Sequence, residues 1–271
     1  MIIPNYNYAR FVGQAIDSVL NQTHSDIEII VVNNGSTDNS LEVLKGFGNR
    51  IFLVDQENMG QSGARKSGLS RATGDFIAFL DADDFWEPTK IEKQMLLFSP
   101  KTELVYCGIR RFNENSQQYI STHLPIFKGS CESAIINHPG LSIVLSGEST
   151  AIFTRTLVEK VGGFDPKLNS AAGWDFFRRC SKYTNFDFVP EALTNYRVHG
   201  SNMSNNGLDT IPDIRNAYKK LFDDRAWAIS TREIRRIIIF LECTFIKTHL
   251  KQRNFIAAMG AVFKMLLPRR Y

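Results

Sequence analysis

Along the first hundred residues, short apolar runs alternate with segments of helical period, and this alternation restricts the fold more than any other feature. Residues 1–3 read as the end of a strand stopped by Pro4, residues 28–32 as a β-branched strand, residues 51–54 as a third strand and residues 76–80 as a fourth. Between them, residues 8–22 place Val12, Ile16, Val19 and Leu20 on one helical stripe. Ser36, Thr37 and Asp38 offer N-caps ahead of Leu41, Val43 and Leu44, and residues 64–72 read as a helix behind a glycine-rich entry. Alternation of this kind predicts an α/β fold with a mostly parallel sheet covered by helices on both faces, joined by right-handed crossovers.

After about residue 141 the pattern loosens. Residues 150–154 read as a strand, 157–161 and 174–182 as helices, and 196–206, polar and rich in Gly and Asn, as a mobile loop. Residues 211–267 are helical in pattern, with Pro268 near their end. A chain of 271 residues holds one large α/β domain, or one domain and a tail. Its hydrophobic content of 43% supports a core that needs no metal or disulfide staple. Cys107, Cys131, Cys180 and Cys243 form no metal-binding spacing and read as reduced thiols. Met1 leads straight into a strand with no leader signature. The best candidate apolar run, residues 237–241, ends at Glu242, far short of the ~20 residues that cross a bilayer. These features predict a cytoplasmic protein.

The net charge of +4 suits phosphate binding or an anionic surface. Much of the positive charge lies after Lys219, in Arg232, Arg235, Arg236, Lys247, Lys251, Arg253, Lys264, Arg269 and Arg270. Mixed with apolar residues at helical spacing, these predict either a helical cap over the main domain or a peripheral contact with an anionic membrane. No aromatic residues interleave with basic ones near the strand ends, which argues against a nucleic-acid binder.

Three polar clusters directly follow predicted strands: Pro4-Asn5-Tyr6-Asn7, Asn33-Asn34-Gly35-Ser36 and Asp81-Ala82-Asp83-Asp84. Ligands of open α/β sheets bind beyond the carboxyl ends of the strands, so the three clusters are expected on one edge. Three carboxylates in four residues repel one another unless a cation or solvent compensates. Hard oxygen ligands suit Mg²⁺ or Mn²⁺. The residues alone leave open a second reading, an acidic helix N-terminus ahead of residues 90–98.

Residues 74–86, GDFIAFLDADDFW, resemble the DxD region of family 2 glycosyltransferases. So do residues 2–7 (IIPNYN), 15–23 (AIDSVLNQT), 31–38 (VVNNGSTD), and 58–60 together with 64–68. Counting later matches, the resemblance covers roughly the first 200 residues, in the family's order and spacing. It implies a GT-A fold with a Rossmann-like sheet, a nucleotide-diphosphate sugar donor of UDP or dTDP type, a divalent metal and inversion at the anomeric carbon. The acceptor it implies is a glycan or lipid-linked glycan in polysaccharide biosynthesis, with the protein cytoplasmic or at the inner face of the membrane. Residues 1–207 would form the catalytic domain, its nucleotide-binding half about 1–110 and its acceptor half about 111–207, with residues 208–271 a helical extension.

Carried onto this sequence, the resemblance sets Pro4, Asn5 and Tyr6 against the base and Asn33 at the base or ribose. Arg65, Asp81 and Ala82 would lie at the nucleotide sugar, and Asp83 would bind the metal. His199, within the closing segment 196–204, would be a further metal ligand or diphosphate contact, and Arg197 would neutralise phosphate charge. An inverting transfer needs a carboxylate to take the acceptor's proton. Family members often carry an acidic pair just before an aromatic residue, the second acid being the base; here those positions are Ala172 and Gly173, followed by Trp174. Asp175 is the remaining candidate, its competing reading a helix N-terminal carboxylate. The alternative for the whole chain is a nucleotide-sugar-binding module without catalysis.

Overall fold

The computed structural model describes residues 1–137, 144, 147–202, 207–224, 227–251, 253–255 and 257–260. Strands β1 (Ile2–Asn5), β2 (Ile30–Asn34) and β3 (Phe52–Gln56) run parallel in that order, with Ile2 opposite Ile30 and Asn33 opposite Asp55. Every residue of β2 is buried, as befits a parallel strand covered on both faces. The two-residue period of the strands sorts their side chains between two cores. Ile3 and Val31 pack with Val12, Ile16 and Val19 of α1 (Ala9–Leu20) and Leu44 of α2 (Ser40–Lys45). Ile2, Ile30 and Val32 pack with Ala64 of α3 (Gly60–Arg71). Leu20, predicted on the buried stripe of α1, is exposed, and Pro4 lies within β1 rather than ending it.

Close approach of α3 to β1 depends on a glycine. A Cβ on residue 68 would lie 2.4 Å from Ile2 Cγ2 and 3.3 Å from Cγ1, against a branched side chain that cannot swing aside. Gly68→Ala is therefore expected to destabilise the fold by about 1–3 kcal/mol through overpacking, read as a lower midpoint in chemical denaturation.

The second sheet contains β4 (Phe76–Ala78), β5 (Phe85–Trp86), β6 (Thr102–Asn113), β7 (Gln118–His123), β8 (Ile152–Thr154) and β9 (Asn185–Val198). Its order is β4-β8-β6-β9-β5, with β7 also on β6. Among the described residues of this sheet, only β6 and β9 pair in parallel and every other pair is antiparallel. The expectation of a mostly parallel sheet thus holds for β1–β3 and fails beyond them. One parallel bridge, Ile2 to Phe79, and the bond from Leu80 N to Ile2 O (3.1 Å) join the two sheets. They bring Asp81 out beside the end of β1.

The pairing of β6 with β9 skips register at Cys107/Gly108, where β9 jumps from Val189 to Ala192 across Pro190 and Glu191. A proline without an N–H is accommodated at such an irregularity. Residues 196–198 belong to this strand, which corrects the mobile-loop reading; residues 203–206 lie outside the described segments.

Helices α4 (Lys90–Met95), α5 (Glu132–Asn137), α6 (Arg155–Val161), α7 (Ala172–Cys180), α8 (Gly207–Asp223) and α9 (Thr231–Lys251) complete the fold. Thr154 caps α6 by accepting from Leu157 N, and Gly162 ends it at φ +82°. Asp213 of α8 braces the entry to α7, its carboxylate accepting from Asn169 N, Ala171 N and Ser170 Oγ. The predicted helical stretch 211–267 divides into α8 and α9, and its part beyond residue 260 lies outside the described segments. Helix α9 buries Ile237, Leu241 and Phe245 in the main core and pairs Glu242 with Arg215 at 2.7 Å, which is the cap arrangement. Among the described residues, no helix is long and apolar enough to cross a membrane.

Candidate active site

The ends of β1, β2 and the strand before Asp81 meet at one edge, and side-chain hydrogen bonds knit the first two together. Asn5 Nδ2 and Asn7 N both donate to Ser36 Oγ, at 3.2 and 3.0 Å. Asn7 sits at φ +57°, a conformation asparagine tolerates, and its Oδ1 accepts from Thr37 N at 2.7 Å. Gly35 passes so close to the next loop that a Cβ would lie 2.6 Å from Asn58 N, and its φ of +73° also requires glycine. Asn34 holds that loop, accepting from Gln56 Nε2 and Met59 N.

Asn33 donates through Nδ2 to Asp55 Oδ1 at 2.8 Å, a partner the sequence reading did not single out. Parallel register alone pairs these positions. Two amide oxygens in this cluster, Asn5 Oδ1 and Asn33 Oδ1, are buried without a hydrogen-bond partner. Orphaned buried acceptors call for an explanation, and a ligand N–H or O–H supplies one. Tyr6, 45% exposed, stands at the rim, and Pro4 is half-buried within β1.

The three acids after β4 have three different environments. Asp81 is partly exposed; its N donates to Ser149 Oγ (3.1 Å) and its carboxylate lies 3.2 Å from Arg65 Nη2. Asp83 Oδ2 lies 3.0 Å from His199 Nε2 and accepts from Asn202 Nδ2 at 3.4 Å. Asp84 is fully buried and accepts from Arg197 N at 3.1 Å. Burial, and then repulsion from the neighbouring acids, raises the proton affinity of Asp83 and raises that of Asp84 well above the usual carboxylate range. Asp84 is thus enclosed within the fold, whereas the side chains of Asp81 and Asp83 keep 30% and 12% exposure. Ala82, expected at the nucleotide sugar, has its methyl group packed in the core with Leu80, Trp86 and Ile152 and offers no side-chain contact to a ligand.

Residues 197–202 lie across this acidic edge. Arg197 is buried, donating from Nε to Asp83 O (2.8 Å), pairing with Glu114 and Gln14, and standing among the rings of Phe11, Phe85 and Phe112. All of its nitrogens are engaged, so the expectation that it neutralises phosphate is corrected. His199 is buried against Phe11, ring centroids 4.7 Å apart, with Nδ1 2.9 Å from Ser201 Oγ. Both ring nitrogens are engaged, Nε2 with Asp83 Oδ2; a cation would take the place of that hydrogen bond, and Asp83 with His199 would then supply two ligands of an octahedral ion whose others come from phosphate and water. No cluster of three His, Cys, Asp or Glu side chains exists among the described residues, so a cation there needs the donor's oxygens.

Arg65 is buried beneath the site, with Phe164 under its guanidinium (5.0 Å). It bridges Asp81 to Glu148, whose Oε1 lies 3.0 Å from Nη1. The approach lacks hydrogen-bond alignment, so Glu148 Oε1 is buried with no hydrogen bond. Glu148 was not singled out in the sequence. It lies in the 3-10 turn Gly147–Thr150 that leads into β8, and its only sequence signal is an acid at the head of a strand.

Asp175, the expected base, is elsewhere engaged. It is 1% exposed. Its Oδ1 accepts from Arg178 Nη2 (2.9 Å) and its Oδ2 from Arg179 Nε (2.8 Å). Arg178 also binds Asp224, and Arg179 donates to Val161 O and Gly163 O. With both oxygens held by arginines, Asp175 ties α7 to its neighbours and has no lone carboxylate face for an acceptor hydroxyl.

Residues 1–162 match the description Glycosyl transferase family 2. An uncharacterized glycosyltransferase of Nostoc sp. (strain PCC 7120) is 35% identical over 210 residues, covering 74% of this chain and 65% of the relative. Chondroitin synthase of Pasteurella multocida is 31% identical over 214 residues, covering 77% of this chain and 21% of the synthase. The chain thus spans about two thirds of the first relative and a fifth of the second. Among solved structures, S. aureus TarS 1-349 in complex with UDP-GlcNAc superposes with a TM-score of 0.69 at 17% identity, covering 98% of this chain and 80% of that one. Mannosyltransferase PcManGT from Pyrobaculum calidifontis, in complex with GDP-Man and Mn2+, gives 0.62 at 16% identity, covering 100% and 75%. These likenesses show a shared GT-A-like α/β fold, and with the match over more than half its length the chain belongs to glycosyl transferase family 2.

Proposed function

We propose that the protein transfers a sugar, with inversion, from a nucleoside-diphosphate sugar to a glycan or lipid-linked acceptor in polysaccharide assembly. The observation that carries this reading is the meeting of two orphaned amide acceptors, Asn5 Oδ1 and Asn33 Oδ1, with the acids Asp81 and Asp83 at one sheet edge. An amide-lined rim beside an acid pair suits a base and ribose at one end and a metal-bound diphosphate at the other. Tyr6 and Pro4 lie against the base in this reading, Asp81 near the ribose, and Asp83 with His199 holds Mn²⁺ or Mg²⁺. A divalent cation bound there supplies positive charge to the departing diphosphate. Relatives of the same fold bind UDP-GlcNAc, or GDP-Man with Mn2+, which supports a donor of this class and leaves UDP or dTDP as the proposed base type. The exposed Ile239, Phe240 and Leu250 of α9, among exposed Arg235, Arg236 and Lys247, suit contact with a membrane that carries a lipid-linked acceptor.

Calorimetric titration of UDP, dTDP, GDP and ADP, with and without Mn²⁺, tests the reading. One nucleotide is expected to bind, more tightly with the metal. No binding by any of the four would overturn it. The glycine at position 173 motivates the alternative of a donor-binding module without catalysis; binding of a donor sugar with no turnover would select that alternative.

A further inference from the structure

We propose that Glu148 is the general base of the transfer, delivered from a different segment to the place where the family pattern carries an acid on α7. The inference rests on the transferase reading above and names the group that activates its acceptor.

The geometry begins at Gly173, the position matching the second acid of the family's pair. A Cβ on this residue would lie 2.6 Å from Glu148 Oε1, 2.9 Å from Cδ and 3.0 Å from Oε2. The Glu148 carboxylate therefore fills the volume that a side chain rooted at position 173 would enter. Glycine on α7 and glutamate in the Gly147–Thr150 turn form one interlocked arrangement, because both positions cannot carry a side chain into that space.

The same carboxylate is joined to the donor side. Arg65 holds Glu148 at 3.0 Å through Nη1 and Asp81 at 3.2 Å through Nη2, so one guanidinium separates Glu148 from the first acid of the DxD segment. A base must be held in place to act, and the residues that follow Glu148 are fixed by buried bonds. Ser149 O accepts from Trp86 Nε1 (2.7 Å) and Thr194 Oγ1 (3.1 Å), and Thr150 O accepts from Gln94 Nε2 (3.0 Å). Oε1 is buried and makes no hydrogen bond beside its ion pair with Arg65 Nη1, an unsatisfied acceptor that a hydroxyl donor would fill. Burial raises the carboxylate's proton affinity, with Arg65 opposing the rise, the direction a proton acceptor needs.

In the transfer, the acceptor oxygen bonds to the anomeric carbon as the bond from that carbon to the diphosphate oxygen breaks. The nucleoside diphosphate leaves with the electron pair, and the hydroxyl proton passes to the Glu148 carboxylate. With water as acceptor the same steps hydrolyse the donor.

The test uses the full chain with UDP-GlcNAc or GDP-Man and Mn²⁺, reading nucleoside diphosphate release, donor affinity and thermal melting together. Glu148→Gln, which keeps the side chain's shape, is expected to lower turnover at least about 100-fold with donor affinity within a few-fold of wild type. Glu148→Ala/Gly173→Asp, which clears the space and restores an acid from α7, is expected to turn over faster than Glu148→Ala alone. Wild-type turnover in Glu148→Gln would overturn the proposal. Parallel loss of donor binding in Glu148→Gln would do the same, because Glu148 would then only hold Arg65. So would a folded, donor-binding double variant no faster than Glu148→Ala. A wild-type chain that binds none of UDP, dTDP, GDP and ADP defeats the transferase reading itself; one that binds and turns over a donor while Glu148→Gln matches it defeats only the role of Glu148.

Discussion

Replacing Asp83 with alanine is expected to remove the metal dependence of nucleotide binding and to lower turnover by on the order of 10³-fold. Asp83 and His199 are the protein groups that fit the cation, and no self-sufficient cage of ligands backs them up among the described residues. Metal stabilisation of developing charge is worth several kcal/mol, and each 1.36 kcal/mol is tenfold in rate. The fold should not suffer. Burial and repulsion from Asp81 raise the proton affinity of Asp83, so the folded chain resists its ionisation, and alanine removes that opposition. Calorimetry with and without Mn²⁺, beside a thermal melt, separates the two effects. A variant that melts with wild type and has lost metal-dependent binding is the expected outcome; full metal-dependent turnover would remove Asp83 from the site.

The opposite signature is expected at Asp175. Asp175→Ala leaves Arg178, itself buried, and Arg179 without the carboxylate that takes both. Breaking a buried ion pair from one side costs about 3–5 kcal/mol. For a domain of this size that lowers Tm by roughly 10 °C. The damage should spread, since Arg178 also reaches Asp224 beyond α8, and Arg179 holds the carbonyls of Val161 and Gly163. Asp175→Asn, which retains acceptor geometry at one oxygen, should fall between wild type and Asp175→Ala. Thermal unfolding decides the matter. An Asp175→Ala protein that melts with wild type yet has lost turnover would return Asp175 to the role of base.

The polar edge at the strand ends was legible because it depends on local signals. Polar clusters placed directly after β-branched runs identify strand ends, and parallel strands bring their ends to one side. Asn5, Asn33 and Asp83 accordingly stand together at the strand ends, as their positions in the sequence predict, and the partner Asp55 follows from β2–β3 register. The clamp on Asp175 was missed, although Arg178 and Arg179 stand at i+3 and i+4 on one helix, because the carboxylate reads as the base. The second sheet was harder to read. Gly108 in β6 and Pro190 in β9 interrupt the strand pattern, and the pairing compensates with register shifts that only a three-dimensional structure reveals. Glu148 was hidden for a related reason: it meets Arg65 and Gly173 from distant parts of the chain, contacts that no periodicity encodes.

The interlock of Glu148 with Gly173 restricts how this chain can change by mutation. An acid at position 173 enters space already filled by Glu148, so that substitution is harmful until residue 148 is first shortened. Shortening residue 148 alone leaves a void and strips Arg65 of a counter-charge. The two positions are therefore epistatic, and the path between the two arrangements crosses a less fit intermediate in either order. A comparison that scores each alignment column separately would read Gly173 as the mark of a dead enzyme and would pass over the compensating residue 25 positions upstream.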